Sequence, residues 1–248
     1  MAGHSKWAGI KHKKAIIDAK RGKLFTKLAK EISVASKIGG PDPDANARLR
    51  TAISKAKGYS LPAANIDRAV KKGAGGLEGL TYEEIVYEGY APAGIAILVE
   101  TLTDNKNRTV AQIRSLLTKA GGQIGQPGSV IWMFQRRGLI IVESDGIDDL
   151  DRLMEIALNA NAIDFTAYKE FIEIETEPDE LDSIRTVLLD AQISIKSSEI
   201  FMSPKNPVKI DDEATGKKVS NLIDSLEDLD DVQNVYTTLE PSTDLLLE

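Results

Sequence analysis

Nine cations stand within the first thirty residues of this chain: Lys6, Lys11, Lys13, Lys14, Lys20, Arg21, Lys23, Lys27 and Lys30. Lysine and arginine at irregular spacing do not make a catalytic centre. They can neutralise a row of phosphates, and the counterions they displace supply the affinity. Arg48, Arg68, Lys71 and Lys72 add to the same set. Trp7 sits among the lysines, where an indole either stacks on an unpaired base or anchors the expected basic arm of residues 2–14 in a core. His12 either donates to a phosphate when protonated or is an ordinary surface residue. With only His4 and His12 as histidines and no cysteine, the chain has no material for thiol chemistry, iron–sulfur clusters or a multi-histidine metal site. Carboxylates are abundant but fall on helix faces and strand ends, and no group of residues combines a nucleophile, a base and an orienting partner. The expectation is a protein that is not an enzyme and needs no cofactor and no metal.

A second tier of candidates lies further on. Asn105, Lys106, Asn107 and Arg108 fall at the start of an expected helix, where unpaired backbone N–H groups attract anions. The plainer reading is N-capping by Asn107 or Asp104. The loop Gly125-Gln126-Pro127-Gly128-Ser129 superficially resembles a phosphate cradle, with Ser129 at its end, yet matches neither a P-loop nor a dinucleotide fingerprint. Arg136 and Arg137 either contact a nucleic-acid backbone or sit on a solvated edge.

The charge distribution sharpens this picture. The 248 residues carry a net charge of −7, but residues 1–73 hold 17 Lys and Arg against 5 Asp and Glu, a net of +12. The remaining residues carry −19. A cationic module joined to an anionic one points to a polyanion at the basic end. No apolar run approaches the ~20 residues that cross a bilayer, and the start lacks the apolar core of a secretory signal. The cytoplasm is the expected location, with no membrane partner and no small-molecule substrate.

The elements that must position these residues follow from periodicity. Leu24, Phe25, Leu28, Ile32 and Ala35 recur every three or four residues and predict a helix, with a break near Gly22. A second helix is predicted with Asp42 as its cap and Leu49, Ala52, Ile53 and Ala56 buried, and a third from Pro62 to Gly73. Strands follow at 82–90 and 95–102, then a helix through Val110, Ile113 and Leu117, and a strand at 130–134. From 138 to 204 the order β-α-β-β-α-β matches the ferredoxin-like motif. Residues 206–239 supply a short strand, a helix and a strand, too few to fold alone, and are expected to complete the preceding sheet. The predicted fold is therefore α+β and multi-domain. A basic helical nucleic-acid-binding domain spans 1–75, an α+β middle domain spans 76–136 plus 205–248, and a ferredoxin-like α+β domain at 137–204 is inserted into it.

Several longer motifs carry a resemblance. They begin with Gly3-His4-Ser5-Lys6-Trp7, Ile10-Lys11-His12-Lys13-Lys14 and Ala19-Lys20-Arg21-Gly22-Lys23. Asn46-Ala47-Arg48-Leu49-Arg50, Ile66-Asp67-Arg68-Ala69 and Tyr87-Glu88-Gly89-Tyr90 follow. Leu102-Thr103-Asp104-Asn105-Lys106-Asn107-Arg108-Thr109 and Gly128-Ser129-Val130 with Trp132-Met133-Phe134 complete the set. In this order they resemble the YebC family of bacterial and organellar gene-expression factors. Ala91 and Ala93 stand where the family's turn carries glycines. The resemblance implies a three-domain, non-enzymatic cytoplasmic factor. Its members have been read as DNA-binding transcriptional regulators, or as translation factors that bind ribosomal RNA on the ribosome and assist difficult nascent chains. Counterion release serves DNA and RNA alike, so charge leaves both open.

Overall fold

The computed structural model describes residues 21–75, 82–145, 147, 149–168 and 171–240, with the backbone alone for Arg21. Two compact units divide these residues, one made of 21–134 with 204–240 and the other of 135–203.

The first unit opens with three helices, α1 (Arg21–Gly39), α2 (Ala47–Gly58) and α3 (Ala63–Ala74). Leu28, Ile32 and Ala35 of α1 bury against Leu49, Ala52, Ala56, Ile66 and Ala69, with Leu24 and Phe25 at the margin. The apolar stripe expected from spacing is thus the one that packs. Three local expectations change. Helix α1 already includes Gly22, whose carbonyl accepts from the Thr26 hydroxyl at 3.0 Å. The cap of α2 is Asn46 rather than Asp42. Its buried side chain accepts from the Leu49 N–H at 3.0 Å and donates to the carbonyls of Ala35 and Gly40 at 2.9 and 2.8 Å. One amide thereby caps one helix and ties it to the end of another, which the short carboxylate of Asp42 cannot do. Gly73 does not end α3 but lies inside it. A Cβ there would meet the Ser33 carbonyl at 2.3 Å, so α1 and α3 approach at a face of small residues. Ser33 and Ser36 donate across it to the carbonyls of Ala69 and Val70, each at 2.9 Å.

The same unit continues as a four-stranded antiparallel sheet. It contains β1 (Glu83–Tyr90), β2 (Ala96–Thr103), β3 (Gln123–Ile124) and β8 (Val232–Thr237), in the order β3-β1-β2-β8. Helices α4 (Lys106–Ala120) and α7 (Glu213–Glu227) bury Ile113, Leu117, Val219, Leu222 and Leu226 with Ile97, Val99 and Val235 of the sheet. Residues after 204 return to this sheet as expected, though the short strand is reduced to one parallel bridge, Val208 to Leu239. The strand predicted at 130–134 is instead a 3-10 turn, Ile131–Met133. The N–H groups of Val130 and Ile131 both donate to the Glu88 carboxylate, which removes them from any ladder.

The second unit is β4 (Phe134–Glu143), α5 (Leu150–Asn159), β5 (Asp164–Ala167), β6 (Phe171–Thr176), α6 (Leu181–Asp190) and β7 (Ile195–Pro204). Its strand order β5-β6-β4-β7 is that of the ferredoxin-like motif. Ile140, Val142, Ile172 and Ile174 face Leu153, Ala157, Ile184 and Leu188 of the two helices.

Candidate nucleic-acid interface

Of the expected phosphate contacts, Lys6, Trp7, Lys11, His12, Lys13, Lys14 and Lys20 lie outside the described residues, as does the Arg21 side chain. The others fall into two groups. Lys23, Lys27 and Lys30 lie along α1 and turn toward the C-terminal end of α7. The Lys23 ammonium donates to the Asp228 carbonyl at 3.2 Å, and Lys27 donates to the Glu227 carbonyl. These are carbonyls at the negative end of a helix dipole, where a cation is favoured. Lys30 donates to the Leu102 carbonyl and lies 3.1 Å from Asp231 Oδ1, with its ammonium 4.9 Å from the centre of the Tyr82 ring. Its side chain is only 14% exposed. Lys27 and Lys30 are thus engaged within this unit, whereas Lys23 holds one carbonyl and stays exposed.

The second group looks outward. Arg68, Lys71 and Lys72 are exposed on α3 at positions i, i+3 and i+4, which places them on one face. Arg68 is steadied by the Asn65 side chain at 3.3 Å. On α2, Arg50 donates to the carbonyls of Pro43 and Asp44, and Arg48 pairs with Glu84.

The segment at the start of α4 is built around an internal anion. Its cap is Asn105, neither Asp104 nor Asn107, and its side chain accepts from the Arg108 N–H at 3.1 Å. Arg108 reaches back to Asp104 at 2.7 Å and across to Asp231 at 2.6 Å. Asp231 also accepts from Thr109 at 2.8 Å and from Thr103 at 3.2 Å. Burial alone would push this carboxyl up, but the hydrogen bonds from Arg108, Thr109 and Lys30 outweigh it and hold the group down at about 2. Lys106 and Asn107 remain exposed at the helix start.

The glycine loop is likewise occupied from within. Glu88 on β1 is buried, and its carboxylate accepts from the N–H groups of Gly128 at 2.6 Å, Val130 at 2.7 Å and Ile131 at 2.9 Å. Burial raises the Glu88 carboxyl and the three backbone donors lower it, with a net shift downward. Gly128 adopts φ +87°, a left-handed conformation that glycine accepts without strain. The loop that superficially resembles a phosphate cradle does gather backbone donors, and the protein's own carboxylate takes them. Ser129 contributes its carbonyl, which accepts from the Tyr90 hydroxyl and from the Trp132 indole N–H, each at 3.0 Å. Arg137 is held by Glu175 and Glu177, whereas Arg136 is exposed.

Sequence patterning missed Glu88, Asn46 and Asp231. Glu88 lies inside the motif Tyr87-Glu88-Gly89-Tyr90, and a carboxylate flanked by aromatics on a strand was the available signal. Asp231, in an acidic run, offered none. Among the described residues there is no cluster of His, Asp and Glu able to hold a metal ion, and no helix is long and apolar enough to cross a membrane.

Similarity to known proteins extends over the whole chain. Residues 5–76 match the family described as "TACO1/YebC protein N-terminal domain", and residues 82–239 match "TACO1/YebC second and third domain". A protein of Trichlorobacter lovleyi named "Probable transcriptional regulatory protein" is 51% identical over 247 residues, spanning 98% of each chain. A relative from Persephonella marina with the same name is 50% identical over 247 residues, spanning 99% of this chain and 98% of its own. Among solved structures, a conserved hypothetical protein of Aquifex aeolicus superposes with a TM-score of 0.86 at 46% identity, over 96% of this chain and 98% of its own. On the sequence of its helical module, its two sheets and their order along the chain, this protein belongs to the TACO1/YebC family.

Proposed function

We propose that the protein regulates transcription by binding nucleic acid through the cationic face of residues 1–73, acting in the cytoplasm without catalysing a reaction. The observation that carries this reading is the charge division, +12 over residues 1–73 against −19 over the rest. It is supported by relatives about 50% identical that are named probable transcriptional regulatory proteins. The contact surface comprises Lys6, Lys11, Lys13, Lys14, Lys20, Arg21 and Lys23 together with the outward row Arg68, Lys71 and Lys72. Lys27 and Lys30 are left out, since a cation already bound to a helix end or a buried carboxylate has little to offer a phosphate. The anionic remainder repels a polyanion on balance, so the main grip is assigned to one end of the molecule.

Crosslinking the protein in cells and sequencing the recovered nucleic acid tests this directly. Promoter DNA is the expected result. Ribosomal RNA in its place would move the protein to translation, and an empty recovery would remove nucleic-acid binding altogether. In vitro, replacing Lys11, Lys13 and Lys14 with Ala should weaken binding to most sequences alike. Unchanged affinity would contradict the assignment of the arm.

A further inference from the structure

Trp132 is 61% exposed at the tip of the Ile131–Met133 turn, beside Ile131 at 42%. A lone exposed apolar side chain is ordinary. This one differs in how firmly it is held. Its indole N–H donates to the Ser129 carbonyl at 3.0 Å, and its own carbonyl accepts from the Lys205 ammonium at 2.8 Å. The turn is closed by Met133 N–H to the Val130 carbonyl at 2.9 Å, and the Lys205 N–H bonds the Met133 carbonyl at 2.9 Å. Beneath it the buried Glu88 carboxylate fixes the backbone of residues 128–131. With its one donor already engaged, the ring has only its π surface to present, in an orientation set before any partner arrives.

The surroundings indicate which partner. Between Asp104 and Phe134, within the same unit, the sequence contains no Asp or Glu, while it carries Lys106, Arg114 and Lys119 besides the internally paired Arg108. Such a stretch is unexpected within a region of net charge −19. Around the tip the exposed side chains include Gln126, Lys205 and Asn206, and the carboxylate beneath it, Glu88, is buried and fully engaged. A preset aromatic face with an adjacent ammonium, on a stretch free of acidic residues, forms a stacking platform with a phosphate contact beside it. A protein hot spot would also use tryptophan, but it gives no reason to exclude carboxylates.

We infer that Trp132 stacks on an unpaired nucleobase, with Lys205 meeting the adjacent phosphate, as a second contact apart from the cationic face of residues 1–73. This rests on the nucleic-acid binding proposed above. The chain has two tryptophans, so Trp7→Phe leaves Trp132 as its sole indole. That full-length variant is titrated with a single-stranded oligouridylate and with a duplex of equal length at one salt concentration. Quenching of Trp132 emission by the single strand, and little by the duplex, is expected. Trp132→Ala should lower single-strand affinity about tenfold, with Trp132→Phe restoring most of it and duplex affinity unchanged. An unshifted unfolding midpoint in Trp132→Ala shows that the tip change is local. Single-strand affinity unchanged in Trp132→Ala, with the parent protein still binding, overturns the platform and leaves the cationic face standing. Loss of a protein partner in Trp132→Ala without any change in single-strand affinity overturns it in favour of a protein contact. A parent protein that binds neither nucleic acid overturns both.

Discussion

Glu88 and Asp231 are two buried carboxylates in one structural unit, and each collects a cluster of donors, but the donors differ in kind. Glu88 is held by three backbone N–H groups from a single loop, Gly128, Val130 and Ile131. Asp231 is held by side chains from distant parts of the chain, Lys30 of α1 and Thr103, Arg108 and Thr109 around the start of α4. The first arrangement shapes one loop and the tryptophan it carries. The second fastens the helical module to the sheet. Both occupy places where an external anion was one reading of the sequence, and in each the anion held is the protein's own carboxylate.

Breaking the Asp231 cluster should have the larger effect. Asp231→Asn leaves Lys30, almost buried, and Arg108 without their shared counter-charge, and should cost about 3 kcal/mol in urea unfolding at neutral pH. Glu88→Gln replaces an ionised acceptor by a neutral amide facing N–H donors, and about 2 kcal/mol is expected. Its distinguishing sign is faster motion of Trp132 in fluorescence anisotropy, which Asp231→Asn should not produce. Equal costs with equal effects on Trp132 would erase the distinction drawn between the two clusters.

Acid titration separates them further. The Asp231 carboxyl is lowered from 3.8 to about 2 in the folded protein. A depressed folded value means that its contribution is complete above the unfolded value and is lost as pH falls through the folded one. The difference in unfolding midpoint between the parent protein and Asp231→Asn should therefore be steady above pH 4 and shrink between about pH 4 and 2. A difference that stays constant over that window would exclude ionised Asp231 as its source.

The smallest effect expected lies outside both clusters. Ala93 holds φ +60° in the β1–β2 turn, where a Cβ is strained. Ala93→Gly should raise stability by about 0.5 kcal/mol, once the greater freedom of the unfolded glycine is subtracted. Any change in Trp132 anisotropy in this variant would show that the anisotropy readout is not specific to the Glu88 loop.

What the sequence disclosed and what it concealed divide along the same physical line. Periodicity reports which face of an element is buried, so the Leu28, Ile32 and Ala35 stripe and the ferredoxin-like order of 135–203 were legible. A side chain's partner across the chain is not a periodic property. Lys30 and Asp231 are 201 residues apart, and nothing near Lys30 marks it as different from Lys27 or Lys37. The same limit explains the cap of α2. Asp42-Pro43 has the composition of a helix start, yet Asn46 wins because it also reaches the carbonyls of Ala35 and Gly40 on the neighbouring element. The 3-10 turn at 131–133 was hidden because its cause, the Glu88 carboxylate, lies over forty residues upstream.

The division between outward and inward cations is tested most directly by the salt dependence of nucleic-acid affinity in two variants of the full chain. Replacing Arg68, Lys71 and Lys72 with Ala should flatten the slope of log affinity against log salt by roughly 0.9 for each duplex phosphate no longer neutralised. Replacing Lys27 and Lys30 with Ala should leave that slope where it was. Should the inward pair flatten the slope while the α3 row leaves it unchanged, the cationic face has been placed on the wrong side of the helical module.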